Sequence, residues 1–234
     1  MQTQKDAQIV GWLGRIGAAS AEHVMARFGM GRSWAYARLS RLVADGLLEQ
    51  RTLLYRQPGL YIATAEGLRW TFLERLGVYR VGPGGVQHAT ELAAAAVALH
   101  GAFPGGQLLS ERELRVTESD EGKLIASVSL GELPAGRPAL HRPDLALIGP
   151  DDRALAIEIE LSVKAPRRLQ AICRAYARAR HVGHVYYLAT PPAARAVSRA
   201  VAETRSEDRV AVMALADVAS LVAPKRQEAG RVAL

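Results

Sequence analysis

The chain is poor in sulfur and in aromatic side chains. Among its 234 residues are one cysteine, four methionines, three tryptophans and three phenylalanines. The lone thiol, Cys173, has no partner for an internal disulfide and makes a poor metal site, so it reads as a buried helix residue. No apolar run approaches the roughly 20 residues that cross a bilayer. The opening MQTQKDAQIVGWLGRIG lacks the basic and then uninterruptedly apolar stretch of a secretory signal. These absences lead to the expectation of a soluble cytoplasmic protein with no membrane partner. The histidines His23, His88, His100, His141, His181 and His184 show no HExxH-like spacing. No serine sits in a nucleophile elbow, and no glycine-rich loop has a nucleotide-binding pattern. His141 is the histidine to watch, because it stands three residues before Asp144.

What is present is enough apolar content for a core, 49%, and a net charge of +7. The charge is unevenly spread. Residues 1–85 carry 11 basic and 6 acidic side chains, residues 86–165 carry 7 and 12, and residues 166–234 carry 12 and 5. An acidic middle between basic ends suits a carboxylate site beside surfaces that meet a polyanion. A solvated surface gives the same pattern, so charge alone does not decide.

Periodicity divides the chain. Ile9, Trp12, Leu13 and Ile16 predict a first helix over 5–16 that ends at Gly17. Ser20 caps a short second helix, and a third runs from Ser33 to Asp45 and stops at Gly46. Residues 47–51 read as a strand, and 51–64 as a hairpin turning at Gln57-Pro58-Gly59. Thr64 caps a helix with Leu68, Phe72 and Leu76 on one face. The glycines and proline of 77–85 mark the expected domain boundary, giving domains over 1–80 and 86–223 and a disordered tail over 224–234. In the second domain a helix over 86–100 is followed by strands at 108–116, 124–130, 143–148 and 154–161. A helix over 166–180, a strand over 184–190, a helix over 193–204, a strand over 210–215 and a short closing helix from Asp217 complete it. The fold class is α/β, or α+β taken as a whole.

On the third helix Ala35, Leu39, Leu42 and Val43 face inward. Ser33, Ala37, Ser40 and Arg41 lie opposite, flanked by Trp34, Tyr36 and Arg38. Small and cationic residues let a helix sit deep in a major groove and donate to phosphates or base edges. Arg32 lies at the helix start, where backbone amides also favour phosphate. Arg51, Tyr55 and Arg56 decorate the hairpin. The segments AEHVMARFGMGRSWAYARLSRLVADGLLEQ and GLYIATAEGLRW resemble the winged helix-turn-helix superfamily, which implies binding of double-stranded DNA through the third helix and the hairpin.

The second signal is HRPDLALIGPDDRALAIEIELSVK, residues 141–164. Read as a hairpin symmetric about Asp151, it pairs residues whose numbers sum to 302, so Asp144 opposes Glu158. Glu160 shares the face of Glu158. Leu145, Leu147, Leu155, Ile157, Ile159 and Leu161 point the other way, to a core. Three carboxylates on one partly covered face repel one another. A Mg²⁺ or Mn²⁺ ion offsets that repulsion and suits hard oxygen ligands. If residues 162–164 stay extended, Lys164 reaches the same face. On the outward side of the next helix, Arg167, Arg174 and Arg178 recur at i, i+7 and i+11, as a strip that tracks phosphates or as a solvated face.

Pro143-Asp144 and Glu158-x-Glu160 resemble the PD-(D/E)xK nuclease superfamily. The resemblance implies a restriction-endonuclease-like mixed sheet flanked by helices. It assigns Asp144, Glu158, Glu160 and Lys164 as catalytic, and Asp144, Glu158 and Glu160 as metal ligands. Glu91 on the preceding helix matches an additional metal-assisting acid and joins them as a metal ligand. The family's lysine position is Glu160 here, and Lys164 is its substitute. The two halves together, with the block AIEIELSVKAPRRLQAICRAYARA, resemble the replication-relaxation family of plasmids and mobile elements. Two functions follow. One is metal-dependent DNA processing in mobile-element replication or mobilisation. The other is a non-catalytic DNA-binding regulator whose degenerate nuclease-fold domain serves dimerisation or sensing; a homodimer fits either.

Overall fold

Ser20 begins the first tight structural unit by turning its hydroxyl onto the amide of His23, while the His23 ring accepts from the Ser20 amide. The computed structural model describes residues 2–149 and 153–217, so the expected tail and the closing helix lie outside them beyond Asp217. Within the unit α1 is Gln4–Ile16, β1 Ala18–Ala19, α2 Ala21–Phe28, α3 Arg32–Ala44, β2 Leu48–Arg51, β3 Leu60–Ala63 and α4 Ala65–Trp70. The three strands form an antiparallel sheet in the order β1-β3-β2. Leu13, Val24, Leu39, Leu42 and Leu48 are buried at its centre.

Two details differ from expectation. The tight turn between β2 and β3 is at 54–57, where Gln57 donates to the Leu54 carbonyl, and Tyr55 and Arg56 form its tip. Arg56 takes a left-handed φ of 60°, so Pro58-Gly59 leads back into the strand and does not make the turn. The helix after Thr64 ends at Trp70. The Thr71 hydroxyl bonds back to the Gly67 carbonyl and Phe72 turns left-handed, which leaves Phe72 exposed and away from the face of Leu68.

The second sheet has five strands. The elements are α5 Val86–Ala102, β4 Gln107–Ser110, α6 Glu111–Glu121, β5 Val128–Glu132, β6 Pro138–His141, β7 Leu145–Ile148, β8 Ala154–Glu160, α7 Pro166–Arg178, β9 Val182–Ala189, α8 Pro191–Thr204 and β10 Val210–Ala214. Strand order is β10-β9-β8-β7-β4. β4, β7 and β8 run antiparallel; β8, β9 and β10 run parallel. The whole is a mixed α+β structure with a mixed sheet flanked by helices.

The expected strand over 108–116 is a strand only to Ser110. There a capping box with Glu113 starts α6 and overrides the β-like residues beyond it. The expected strand over 124–130 begins at Val128. Its earlier amides, on Ile125, Ala126 and Ser127, donate to the buried carboxylate of Glu118 instead of to a ladder. The partner of β5 is β6, an additional short strand.

The expected boundary at 77–85 does not separate two cores. Leu92, Ala93, Ala96 and Leu99 of α5 share one apolar cluster with Ile9 and Leu13 of α1 and with Leu145, Ile157 and Ile159 of the second sheet. Polar ties cross the same junction. The Ser110 hydroxyl donates to the Arg15 carbonyl at 2.7 Å, and Arg112 donates to the carbonyls of Gly14, Leu76 and Gly77. The opposite face of the sheet, with Ala156, Val185 and Tyr187, is covered by α7 and α8. No helix among the described residues is long and apolar enough to cross a membrane.

Candidate functional site

The β7–β8 register follows the sum-to-302 rule: Leu145 pairs with Ile157, Ala146 with Ala156, Leu147 with Leu155 and Ile148 with Ala154. Side-chain size fixes this register, because a one-residue slip would drive Leu145, Ile157 and Ile159 into the sites on the other buried face that hold only Ala146, Ala154 and Ala156. One step beyond the last pair, Asp144 and Glu158 line a single cleft of about 700 Å³, together with Glu160 and Lys164. The four residues that the resemblance joins are therefore neighbours. Strand β8 stops at Glu160, and Lys164 reaches the cleft from the loop, not from an extended strand.

Each carboxylate has a partner in the protein. Asp144 accepts from the Ile159 amide at 2.7 Å through Oδ2, and its Oδ1 lies 3.2 Å from Nε2 of His88. That bond to Asp144 holds the His88 imidazolium above its ordinary range, against the effect of burial. Glu158, buried, receives the Tyr176 hydroxyl at 2.6 Å and faces Nε2 of His141 at 2.7 Å, both on Oε1. Burial, and then the Glu158 charge, push the Tyr176 phenol well above its usual range, so Tyr176 is a donor. Glu160, also buried, lies 2.5 Å from Nζ of Lys164, yet its Oε2 receives no well-aligned hydrogen bond. The Tyr187 hydroxyl, beside Glu158 across the β8–β9 register, is buried with no partner.

The donor set fits a hard divalent ion in its chemistry: three carboxylates, one with a buried oxygen that is ion-paired but receives no well-aligned hydrogen bond. Its arrangement is closed by His88, His141, Tyr176 and Lys164. Among the described residues no group of three or more His, Cys, Asp or Glu side chains is placed to hold a metal ion as it stands. The partners of these acids are histidine, tyrosine and lysine; among the described residues no arginine pairs with any of the three. Glu91 is not among the lining residues. His88, three positions earlier on α5, takes that place. Arg115, Arg142, Arg168 and a further acid, Glu111, also line the cleft. His88 and Tyr176 carry no local signal in the sequence, since each meets its acid only through the packing of a distant helix on the sheet.

The second candidate surface is α3. Arg32, Ser33, Ala37, Ser40 and Arg41 are exposed on it, as expected, and Tyr36 is half-buried. Arg38 differs. Its guanidinium donates to Asp6 at 2.7 Å and to Thr3 at 2.9 Å, and stacks on Trp34 at 4.2 Å. Arg41 also donates to Asp6, at 3.1 Å. Both arginines are drawn toward α1 because Asp6, wholly buried, needs compensating charge. The Tyr36 hydroxyl donates to Glu22 at 3.4 Å, and its ring meets Arg32. Arg51 pairs with Glu49. Tyr55 and Arg56 stand out at the hairpin tip with their side chains stacked.

Comparison with family models, with curated proteins and with solved structures finds no match. The functional reading therefore rests on the geometry.

Proposed function

We propose that this chain is a DNA-binding protein in which the N-terminal unit acts as a winged helix and the second sheet carries a nuclease-type cleft for a divalent cation. The observation that carries the reading is the meeting of Asp144, Glu158, Glu160 and Lys164 in one cleft. The element order supports it. Strands β4, β7 and β8 form an antiparallel run between α5 and α7, and β9 lies parallel to β8. Asp144 enters the second strand of that run and the two glutamates close the third. In the N-terminal unit, the order α1-β1-α2-α3-β2-β3 and the exposed Arg32, Ser33 and Ser40 support α3 as the helix that meets duplex DNA.

Asp144, Glu158 and Glu160 would hold the ion, and a bound divalent ion activates water and polarises a phosphate oxygen. The chain's own part begins with exchange of partners. His88 and Lys164 release Asp144 and Glu160, and Lys164 is then free to face developing negative charge. Tyr176 and His141 keep Glu158 oriented throughout. The non-catalytic regulator is favoured by one observation, that every carboxylate already has an internal partner.

The deciding experiment incubates supercoiled plasmid with the protein and Mg²⁺ or Mn²⁺. Nicking is expected, lost in Asp144→Asn with duplex affinity retained, and slowed in Lys164→Ala with ion binding retained. If calorimetry finds no Mg²⁺ or Mn²⁺ binding at millimolar concentration, with and without DNA, the enzyme reading falls and the regulator stands. Duplex binding itself is expected to weaken with salt at a log–log slope of roughly −4 to −5 for about five neutralised phosphates. A flat titration points to a protein partner.

A further inference from the structure

Most arginines outside the α7–α8 layer that stand near an acid are paired with it. Arg15 meets Glu113, Arg38 meets Asp6, Arg69 meets Glu66, Arg75 meets Asp120 and Arg115 meets Glu111. The α7–α8 layer is different. Residues 166–205 contain eight arginines, no lysine and one acid, Glu203. That acid is engaged by the Gln170 amide at 2.6 Å. All eight arginines are exposed, and among the described residues none is in an ion pair.

The helices present this charge outward together. Leu169, Ile172 and Tyr176 of α7 share one apolar cluster with Val197 and Val201 of α8 and with Val185 of the sheet. Both helices therefore cover the same sheet face, and Arg174, Arg178, Arg195 and Arg199 look away from it. The N-terminal unit packs with α5 against the other face. Arg168, at the start of α7, also lines the acidic cleft, so the basic layer begins at the cleft's edge.

So many like charges without internal counter-charge repel one another, and a polyanion relieves the repulsion. The choice of arginine narrows the class. Its planar fork matches phosphate oxygens in pairs, whereas lysine offers a point charge. Arg167, Arg174 and Arg178 form a stripe about 16 Å long, at 1.5 Å per residue, close to the rise of about five nucleotides along one strand. An anionic membrane would call for apolar side chains among the cations. The large exposed apolar residues, such as Trp34, Phe72, Leu133 and Val163, lie outside α7 and α8.

We propose that the outer face of α7 and α8 is a second nucleic-acid site, which holds a phosphate backbone without reading its sequence, on the side of the sheet away from the N-terminal unit. It stands independently of the α3 reading. If both hold, one chain has two separate backbone contacts and can bring two duplex segments together.

The test is anisotropy with a 30-bp duplex of arbitrary sequence across a salt series. In the Arg32→Glu, Ser40→Glu background, where only the α7–α8 site is left, the variant with Arg174, Arg178, Arg195 and Arg199 all changed to Gln is expected to bind at least tenfold more weakly at about 0.1 M salt. Its log–log slope should be shallower by about 3–4, for four lost phosphate contacts. The same four positions changed to Lys should keep most of the slope. Arg32→Glu with Ser40→Glu removes the α3 contact and should leave the α7–α8 part, so the two sites fail separately. A second readout uses the unaltered chain: arginine-directed phenylglyoxal labelling, mapped by mass spectrometry, with Arg174, Arg178, Arg195 and Arg199 shielded by saturating duplex. A Gln variant with native melting and unchanged affinity and slope overturns the proposal. So do four arginines that stay fully reactive under DNA, or capture of phosphatidylserine vesicles without capture of duplex.

Discussion

Asp6 decides how much arginine charge α3 can offer. It closes the capping box of α1 with Thr3 and receives Arg38 and Arg41 from α3. Burial by itself would raise its pKa, but the Thr3 hydrogen bonds and the two guanidiniums outweigh burial and hold it below 3.8. Because the folded value is depressed, its stabilisation is complete above about pH 4 and is lost as pH falls through the folded value. Asp6→Asn is expected to cost about 3 kcal/mol at neutral pH, near the lower end for breaking a buried ion pair, and to lessen the acid-limb loss in melting curves. A variant as stable as the parent would refute this. By the same reasoning Arg38→Ala should lower stability more than DNA affinity. His100 acts in a different window. Burial, and then Arg27 and Arg15, depress its pKa to about 4. The unfolded chain takes up the proton near 6.5, so acid favours unfolding. Stability should fall from about pH 6.5 toward about pH 4 and level off for this group below that. His100→Asn should flatten that interval in a pH series of denaturant midpoints, and an unchanged slope there would exclude the assignment.

At the scale of elements, legibility follows sequence distance. The β7–β8 register was readable because Leu and Ile alternate with Ala on either side of a polar loop, and only one pairing puts all the large side chains on one face. The caps at Ser20, Thr64 and Gly17 were readable because a helix end is a local event. Residues 111–116 look like a continuation of the strand because Leu114 and Val116 alternate with polar residues, yet the Ser110–Glu113 box starts α6 there. The partners of the acids were mostly unreadable. His88 and Tyr176 arrive on α5 and α7, and nothing near Asp144 or Glu158 in the sequence announces them. His141 was flagged by proximity to Asp144, yet its contact is with Glu158. The docking of α4 gives a test at this scale. A Cβ on Gly67 would stand 2.1 Å from the Leu47 carbonyl oxygen and 3.0 Å from Val10 Cγ1. The first of these is backbone and cannot swing aside. Gly67→Ala should therefore destabilise by about 2–3 kcal/mol through overpacking, read from urea midpoints. A cost below about 0.5 kcal/mol would mean that α4 moves freely against β2.

At the scale of the molecule, the glycine-rich stretch at 77–85 looks like a linker but joins parts of a shared core. Helix α5 contributes Leu92, Ala93 and Leu99 to a cluster with both α1 and the second sheet, and Val86 and Ala89 to a cluster with Leu60 and Ile62 of the first. Calorimetry should therefore show one cooperative transition, with equal calorimetric and van't Hoff enthalpies. Two resolved transitions would restore a two-domain description.

That shared helix also sets where the chain can be divided. A fragment ending at Arg80 would leave Ala18, Leu60 and Ile62 uncovered and should aggregate. One ending at Ala102 keeps the cover over those residues but bares Leu92, Ala93 and Leu99, which pack on the second sheet, so it too should self-associate. Anyone borrowing the N-terminal unit for another protein would have to take α5 with it, and the remaining sheet would need a replacement cover over Leu145 and Ile157. Neither half of this chain is a portable part, whatever its glycines suggest.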